Sequence, residues 1–170
     1  MQIPTPKWVI ADTHFNHNAP WLPIHRPWCT DIENMNHIMI TCWNGLVEKT
    51  DSVLHLGDLA LGKREKTQEI IRKLNGRIYL TYGNHDIKSH YRDIVTADKM
   101  MYFYYNGRVF YCRHRPYDFL EEEKKYGILL HGHCHGGRKN YDKYIDCGID
   151  ATGWYGPMKL DDIIHQYLNK

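Results

Sequence analysis

Residues 77–86 read Arg-Ile-Tyr-Leu-Thr-Tyr-Gly-Asn-His-Asp, an apolar, β-favouring run set directly against a Gly-Asn turn pair, a histidine and an aspartate. Alone, such a junction is a strand running into a solvated loop, because Gly-Asn is common turn chemistry. Its weight comes from repetition. Trp8-Val-Ile-Ala11 stops at Asp12-Thr-His14, and Ser52 to Leu56 stops at Gly57-Asp58. Arg108 to Cys112 runs into Arg113-His114-Arg115-Pro116, and Gly127 to Leu130 into His131-Gly-His-Cys-His135. Each run thus ends in Asp, Asn or His. Strand carboxyl ends are where α/β folds assemble sites, because strands fix the backbone while the following loops present groups. Any one of these junctions is weak; all of them in one chain point to a shared metal site rather than to unrelated turns.

Between the runs, the pattern changes from helical to hairpin. Thr30-Asp31-Ile32-Glu33 has the form of a capping box, and Ile32, Met35, Met39, Trp43 and Leu46 recur at helical spacing through Glu48. A second helix is expected from Arg64 to Leu74, and a closing amphipathic helix from Leu160 to Leu168. Met100 to Tyr105, Asn106-Gly107 and Arg108 to Cys112 make a β-hairpin, Glu121 to Lys125 a solvated charged stretch, and Tyr144 to Cys147 a last strand. Strands separated by helices early and by turns late predict a mixed-sheet α/β sandwich flanked by helices, with parallel pairing in front and antiparallel pairing behind. Without a repeat or linker, residues 1–170 are expected to form one domain.

The chain has 170 residues, 42% of them hydrophobic and 25% charged, enough for a real core. A formal charge of +2 argues against strong nucleic-acid binding. Five cysteines without a CxxC pair argue against a disulfide scaffold, and neither a signal peptide nor a membrane-span pattern is present. The expected location is cytoplasmic, a host's cytoplasm if the gene is phage-borne. Twelve histidines stand out, since histidine is the commonest neutral metal ligand and titrates near neutrality. If the segments are extended, Asp12 and His14 share one side, as do His133 and His135, while Thr13 and Cys134 point away. A structural zinc site using Cys134 is the lesser alternative.

The ordered set D-x-H, G-D, G-N-H-D, H and G-H-x-H, from Asp12 to His135, resembles the calcineurin-like metallophosphoesterase superfamily. The phrases HLGDLALG and LHGHCHG resemble its small, single-domain bacterial and phage subgroup. The resemblance implies an α-β-β-α sandwich and two divalent metal ions, manganese foremost, with iron, zinc or nickel as alternatives. It further implies that Asp12, His14, Asp58 and His135 hold one ion and Asp58, Asn84, His114 and His133 the other. A bridging hydroxide would attack phosphorus in line, with His85 as general acid and Asp86 one candidate for orienting it. Only two carboxylates in this set leave the ions' charge incompletely cancelled, which favours an anionic phosphoester. Asn16, His17, Arg26 and Arg115 are candidate substrate contacts. Diesters, nucleotide-derived ones included, are the expected substrates, since no cap domain is available to close over a small monoester. The alternatives are a phosphomonoesterase acting on small molecules or proteins, a nuclease, and a non-catalytic scaffold. Leu59-Ala60-Leu61 after Asp58 lacks the polar residues of the protein phosphatases.

Overall fold

Side-chain alternation along the first strands decides the layering. In β1 (Trp8–Ile10), β2 (Ser52–His55) and β3 (Arg77–Thr81), Val9, Leu54 and Tyr79 enter one hydrophobic core, while Trp8, Ile10, Val53, Ile78 and Leu80 enter another on the opposite face. A strand that is buried on both faces reads as an unbroken apolar run, as these do.

The computed structural model describes residues 1–20, 22–137 and 143–168. The helix-side core is closed by α2 (Ile32–Leu46), through Met35, Met39 and Trp43, and by α3 (Arg64–Lys73), through Ile70 and Ile71. The other core is closed by a second sheet, which contributes Met101, Phe103, Phe110, Ile128, Leu130 and Ile145. The first sheet has the order β4 (Thr96–Asp98), β3, β2, β1, β9 (Met158–Lys159), with β1 to β4 parallel and β9 antiparallel to β1. The second runs β5 (Met101–Tyr105), β6 (Arg108–Cys112), β7 (Gly127–His131), β8 (Tyr144–Asp146), an antiparallel hairpin followed by two parallel pairs. Short helices α1 (Leu22–His25), α4 (Lys88–Tyr91), α5 (Glu121–Tyr126) and α6 (Ile149–Thr152) fill connections, and α7 (Leu160–Leu168) packs Leu160 and Ile163 on the inter-sheet core.

This is the mixed-sheet sandwich flanked by helices that the pattern predicts. Four details differ. The expected antiparallel pairing behind is confined to the β5–β6 hairpin, because the helix and loop connections after β6 and β7 return the chain to pair in parallel. The α2 cap is Asp31, whose carboxylate accepts the Asn34 N–H, so the box shifts one residue from Thr30. Glu121 to Lys125 is helical, and Glu123 binds Arg113. Strands β4 and β9 escape notice because runs of three and two residues carry no periodicity. Of the hairpin aromatics, Phe103 and Phe110 pack as core, stacked 5.2 Å apart and buried, while Tyr104 is exposed. None of the five cysteines is in a disulfide, and no helix among the described residues is long and apolar enough to cross a membrane.

Because β1, β2 and β3 are parallel, their carboxyl ends open along one edge; β6 and β7 do the same in the second sheet. The two edges are joined where Ala11, just past β1, pairs with Gly148, just past β8.

Candidate metal centre

The backbone beyond these strands is not extended. Asp12, His14, Asp58, His133 and His135 have φ of 55°, 50°, 54°, 74° and 45°, so the expectation of paired ligands on extended segments is corrected. Left-handed backbone at such residues costs on the order of 1–3 kcal/mol each and persists only where the surroundings over-determine it. Here the first two loops are zipped together: Asp12 N–H binds the Gly57 carbonyl and His14 N–H the Asp58 carbonyl, each at 3.0 Å. Thr13 between them faces inward and donates to the Leu59 carbonyl at 2.8 Å. Its hydroxyl also lies 2.9 Å from His55 Nε2, while His55 Nδ1 accepts the Gly57 N–H. His55 is therefore the Nε2–H tautomer, and burial pushes its pKa down to about 3.

The side chains so displayed converge. Ligand atoms of Asp12, His14 and His135 lie within 4.8 Å of one another, as do those of Asp12, Asp58 and His114. Asp58 Oδ2 sits between the two groups, 3.6 Å from His14 Nε2 and 3.3 Å from His114 Nε2. His114 Nε2 also faces Asn84 Oδ1 at 3.1 Å and His133 Nδ1 at 3.2 Å. Its Nδ1 is 2.9 Å from the Leu56 carbonyl and must donate there, so a neutral His114 turns a lone pair on Nε2 toward other lone pairs. Asp12 Oδ1 is buried without a hydrogen-bond partner. A knot of acceptors with an orphaned carboxylate oxygen fits a cation.

The electrostatics agree. Burial, only partly opposed by His114 and His135, pushes Asp12 up to about 7. Burial lowers His14, keeping it neutral. Burial also opposes the charge on Asp58 and on His114, but their hydrogen bond and mutual attraction outweigh it, holding Asp58 below and His114 above their ordinary ranges. Without a cation, protons are what relieve this crowding.

Two glycines make the approach feasible. A Cβ on Gly83 would lie 2.1 Å from Asp58 Oδ1, and one on Gly132 would lie 2.6 Å from Asp12 Oδ2. Asp12 Oδ2 also accepts the His133 N–H at 2.8 Å, tying the first loop to the last.

Several expected contacts fall elsewhere. Arg26 is fully buried: Nη2 donates to the Asp12 carbonyl at 2.6 Å, Nη1 to the Thr13 carbonyl at 2.7 Å, and the guanidinium grips Asp150 at 3.0 and 3.1 Å. That fork is consumed, so Arg26 is corrected from a phosphate contact to a brace. Asp86 does not orient His85; its carboxylate accepts the N–H groups of Gly83, Asp58 and Leu59 at 2.7–3.0 Å and the Tyr91 hydroxyl at 2.5 Å. It clasps the second loop to the third. Asn16 exchanges hydrogen bonds with Asn36 of α2, and its amide nitrogen is buried, so it too is an anchor rather than a substrate contact. His17 stays at the site, its ring 5.1 Å from that of His14 and 5.6 Å from that of His85. His85 is exposed, its ring 5.5 Å from that of His14 and its N–H held by Asp58 Oδ1 at 2.8 Å. Arg115 is half-buried, and with burial and His114 its charge lowers the pKa of His133.

Asp150 is the residue sequence reasoning missed. Its Oδ2 is 2.7 Å from His135 Nδ1, a contact that fixes this ring beside Asp12 and His14. The available signal was one more Asp soon after a short strand, in Tyr144-Ile-Asp-Cys-Gly-Ile-Asp150. Cys134 faces away from the two groups, toward His131 and Asp146, with ligand atoms within 4.8 Å of one another.

The fold has counterparts among known proteins. A solved protein of unknown function from Aquifex aeolicus, AQ665, superposes with a TM-score of 0.72 at 18% identity, covering 98% of this chain and all of that one. The uncharacterized protein MJ1445 of Methanocaldococcus jannaschii is 33% identical over 168 residues, spanning 92% of this chain and 88% of its own length. The sequence profile of the calcineurin-like phosphoesterases matches residues 5–165, from before the first loop to beyond Asp150. This chain therefore belongs to the calcineurin-like phosphoesterase family.

Proposed function

We propose that the chain is a binuclear, metal-dependent phosphoester hydrolase acting on phosphodiesters, with residues 1–170 forming one catalytic domain. The observation that carries the reading is the position of Asp58 Oδ2 between His14 and His114, with acceptor atoms crowded on both sides. Asp12, His14, Asp58 and His135 would hold one divalent ion, and Asp58, Asn84, His114 and His133 the other, with manganese the first choice for this N/O set. When bound, such a pair polarises phosphoryl oxygens and acidifies water for in-line displacement.

The chain's own groups do the rest. His85 is solvent-exposed beside His14 and anchored through its N–H, so its imidazole can deliver a proton to the departing ester oxygen. His17 borders the same side. On the His133 side, Arg115 supplies a positive charge for a non-bridging phosphoryl oxygen. Asn84 and His85 are exposed, leaving room for the second arm of a diester. Cysteines without disulfides fit a reducing cytoplasm.

Protein stripped with chelator and reloaded with manganese tests the reading. The expected result is about two ions per chain and a higher kcat/KM for bis-4-nitrophenyl phosphate than for 4-nitrophenyl phosphate. Preference for the monoester would make it a phosphomonoesterase. Two bound ions with no turnover of either would favour a non-catalytic scaffold. A single inert zinc lost in Cys134→Ser would favour a structural site at His131, Cys134 and Asp146.

A further inference from the structure

Beside the candidate centre, the segment after His114 is built as a rigid display. His114 and Phe119 are buried at its two ends, and a turn of 3-10 helix, Pro116–Asp118, lies between them. Arg113 braces it from below, donating to the Asp118 carbonyl and forming a two-pronged pair with Glu123. On this braced turn Tyr117 is left 60% exposed. Its ring meets that of His133 edge-on, with centroids 5.8 Å apart and planes at 80°, and the Arg115 guanidinium carbon lies 5.7 Å from its centroid.

Other exposed aromatics among the described residues, such as Tyr104 and Tyr155, pack on Tyr102 and Trp28, away from the candidate ligands. An exposed aromatic ring ordinarily gains by being covered, and a ring held rigid loses little entropy when something stacks on it. Tyr117 is exposed, edge-on to His133, a proposed metal ligand, and paired with a cation that suits a phosphate oxygen.

We propose that Tyr117 and Arg115 form a substrate subsite that takes the nucleobase of a nucleoside phosphoester, the base stacking on the Tyr117 ring while Arg115 faces the phosphoryl group. This rests on the hydrolase reading above and adds a substrate class to it. Base–aromatic stacking of this kind is sequence-tolerant, since every base offers a π-face, so the subsite selects for a base over an alkyl group rather than for one base.

Binding of two non-hydrolysable ligands to the manganese-loaded protein tests it by calorimetry: the 5′-methylenephosphonate analogue of adenosine 5′-monophosphate, and ethylphosphonate. The wild type should bind the nucleoside ligand at least about tenfold more tightly, in line with stacking on an aromatic residue. Tyr117→Ala should lose most of that preference, whereas Tyr117→Phe should keep it, because the ring and not the hydroxyl is used. Equal affinity for the two ligands in the wild type, or an undiminished preference in Tyr117→Ala, would overturn the subsite. Turnover of methyl 4-nitrophenyl phosphate in the same samples is a separate readout. Its absence would count against the hydrolase reading and leave the binding comparison interpretable.

Discussion

Asp12 is held in the folded chain against its own ionisation. Its pKa rises from an ordinary 3.8 to about 7 because it is buried. Between those values the folded chain keeps a proton that the unfolded chain has released, so Asp12's contribution to stability is present below about pH 4 and is lost as pH rises to about 7. Asp12→Asn imitates the protonated form. In chelator-treated protein its advantage over wild type should be near zero at acid pH and grow to at most about 4 kcal/mol above neutrality, given roughly 1.4 kcal/mol per pH unit. Urea unfolding at pH 5, 6, 7 and 8 checks this, and a pH-independent difference would contradict it. With manganese the order should reverse, because the wild type, keeping the carboxylate charge, gains more of the ion's binding energy. His85 raises a different question, that of the leaving group. An alkoxide needs a proton far more than nitrophenolate does, so His85→Asn should slow an alkyl diester at least about tenfold more than bis-4-nitrophenyl phosphate, within the usual span of general-acid effects. Equal losses, read from initial rates, would remove the proton-donor role.

At the scale of elements, the site is a bundle of loops that hold one another. Arg26, one residue past α1, grips Asp150 of α6 and the carbonyls just past β1, and Asp150 in turn holds His135 in the loop after β7. Arg26→Met would strand a buried carboxylate, which costs about 3–5 kcal/mol. Asp150→Asn keeps the shape but weakens the hold on His135, so manganese affinity should fall roughly 10- to 100-fold. Unfolding curves and a manganese titration of the two variants check this, and wild-type affinity in Asp150→Asn would show that the contact is idle. These braces explain what was legible in the sequence. Asp, Asn and His recurring at strand ends are visible in sequence, so the proposed ligands Asp12, His14, Asp58, Asn84, His114, His133 and His135 could be picked out there. Arg26 and Asp150 meet across 124 residues, a distance no local pattern reports. Asp86 adjoins His85 in sequence, yet its carboxylate turns to the neighbouring loop, and adjacency misled for that reason. Left-handed backbone at the proposed ligands was equally hidden, since Asp and His adopt it more often than other side chains but still only in a minority of positions, so their presence does not announce it as glycine would.

Across the whole molecule, the fold's contribution is to bring two parallel edges together. The first sheet supplies Asp12, Asp58 and Asn84 and the second His114, His133 and His135, and the Ala11–Gly148 pairing fixes one edge on the other. That alternation of helices and turns could be read from the sequence, whereas the strands β4 and β9 that finish the first sheet are set by tertiary pairing. The proposed function requires this junction to take two cations that share Asp58. Anomalous scattering from crystals grown with manganese measures it directly. Two peaks are expected, one among Asp12, His14 and His135 and one among Asn84, His114 and His133, with Asp58 reaching both; a single peak, or peaks away from Asp58, would contradict the account.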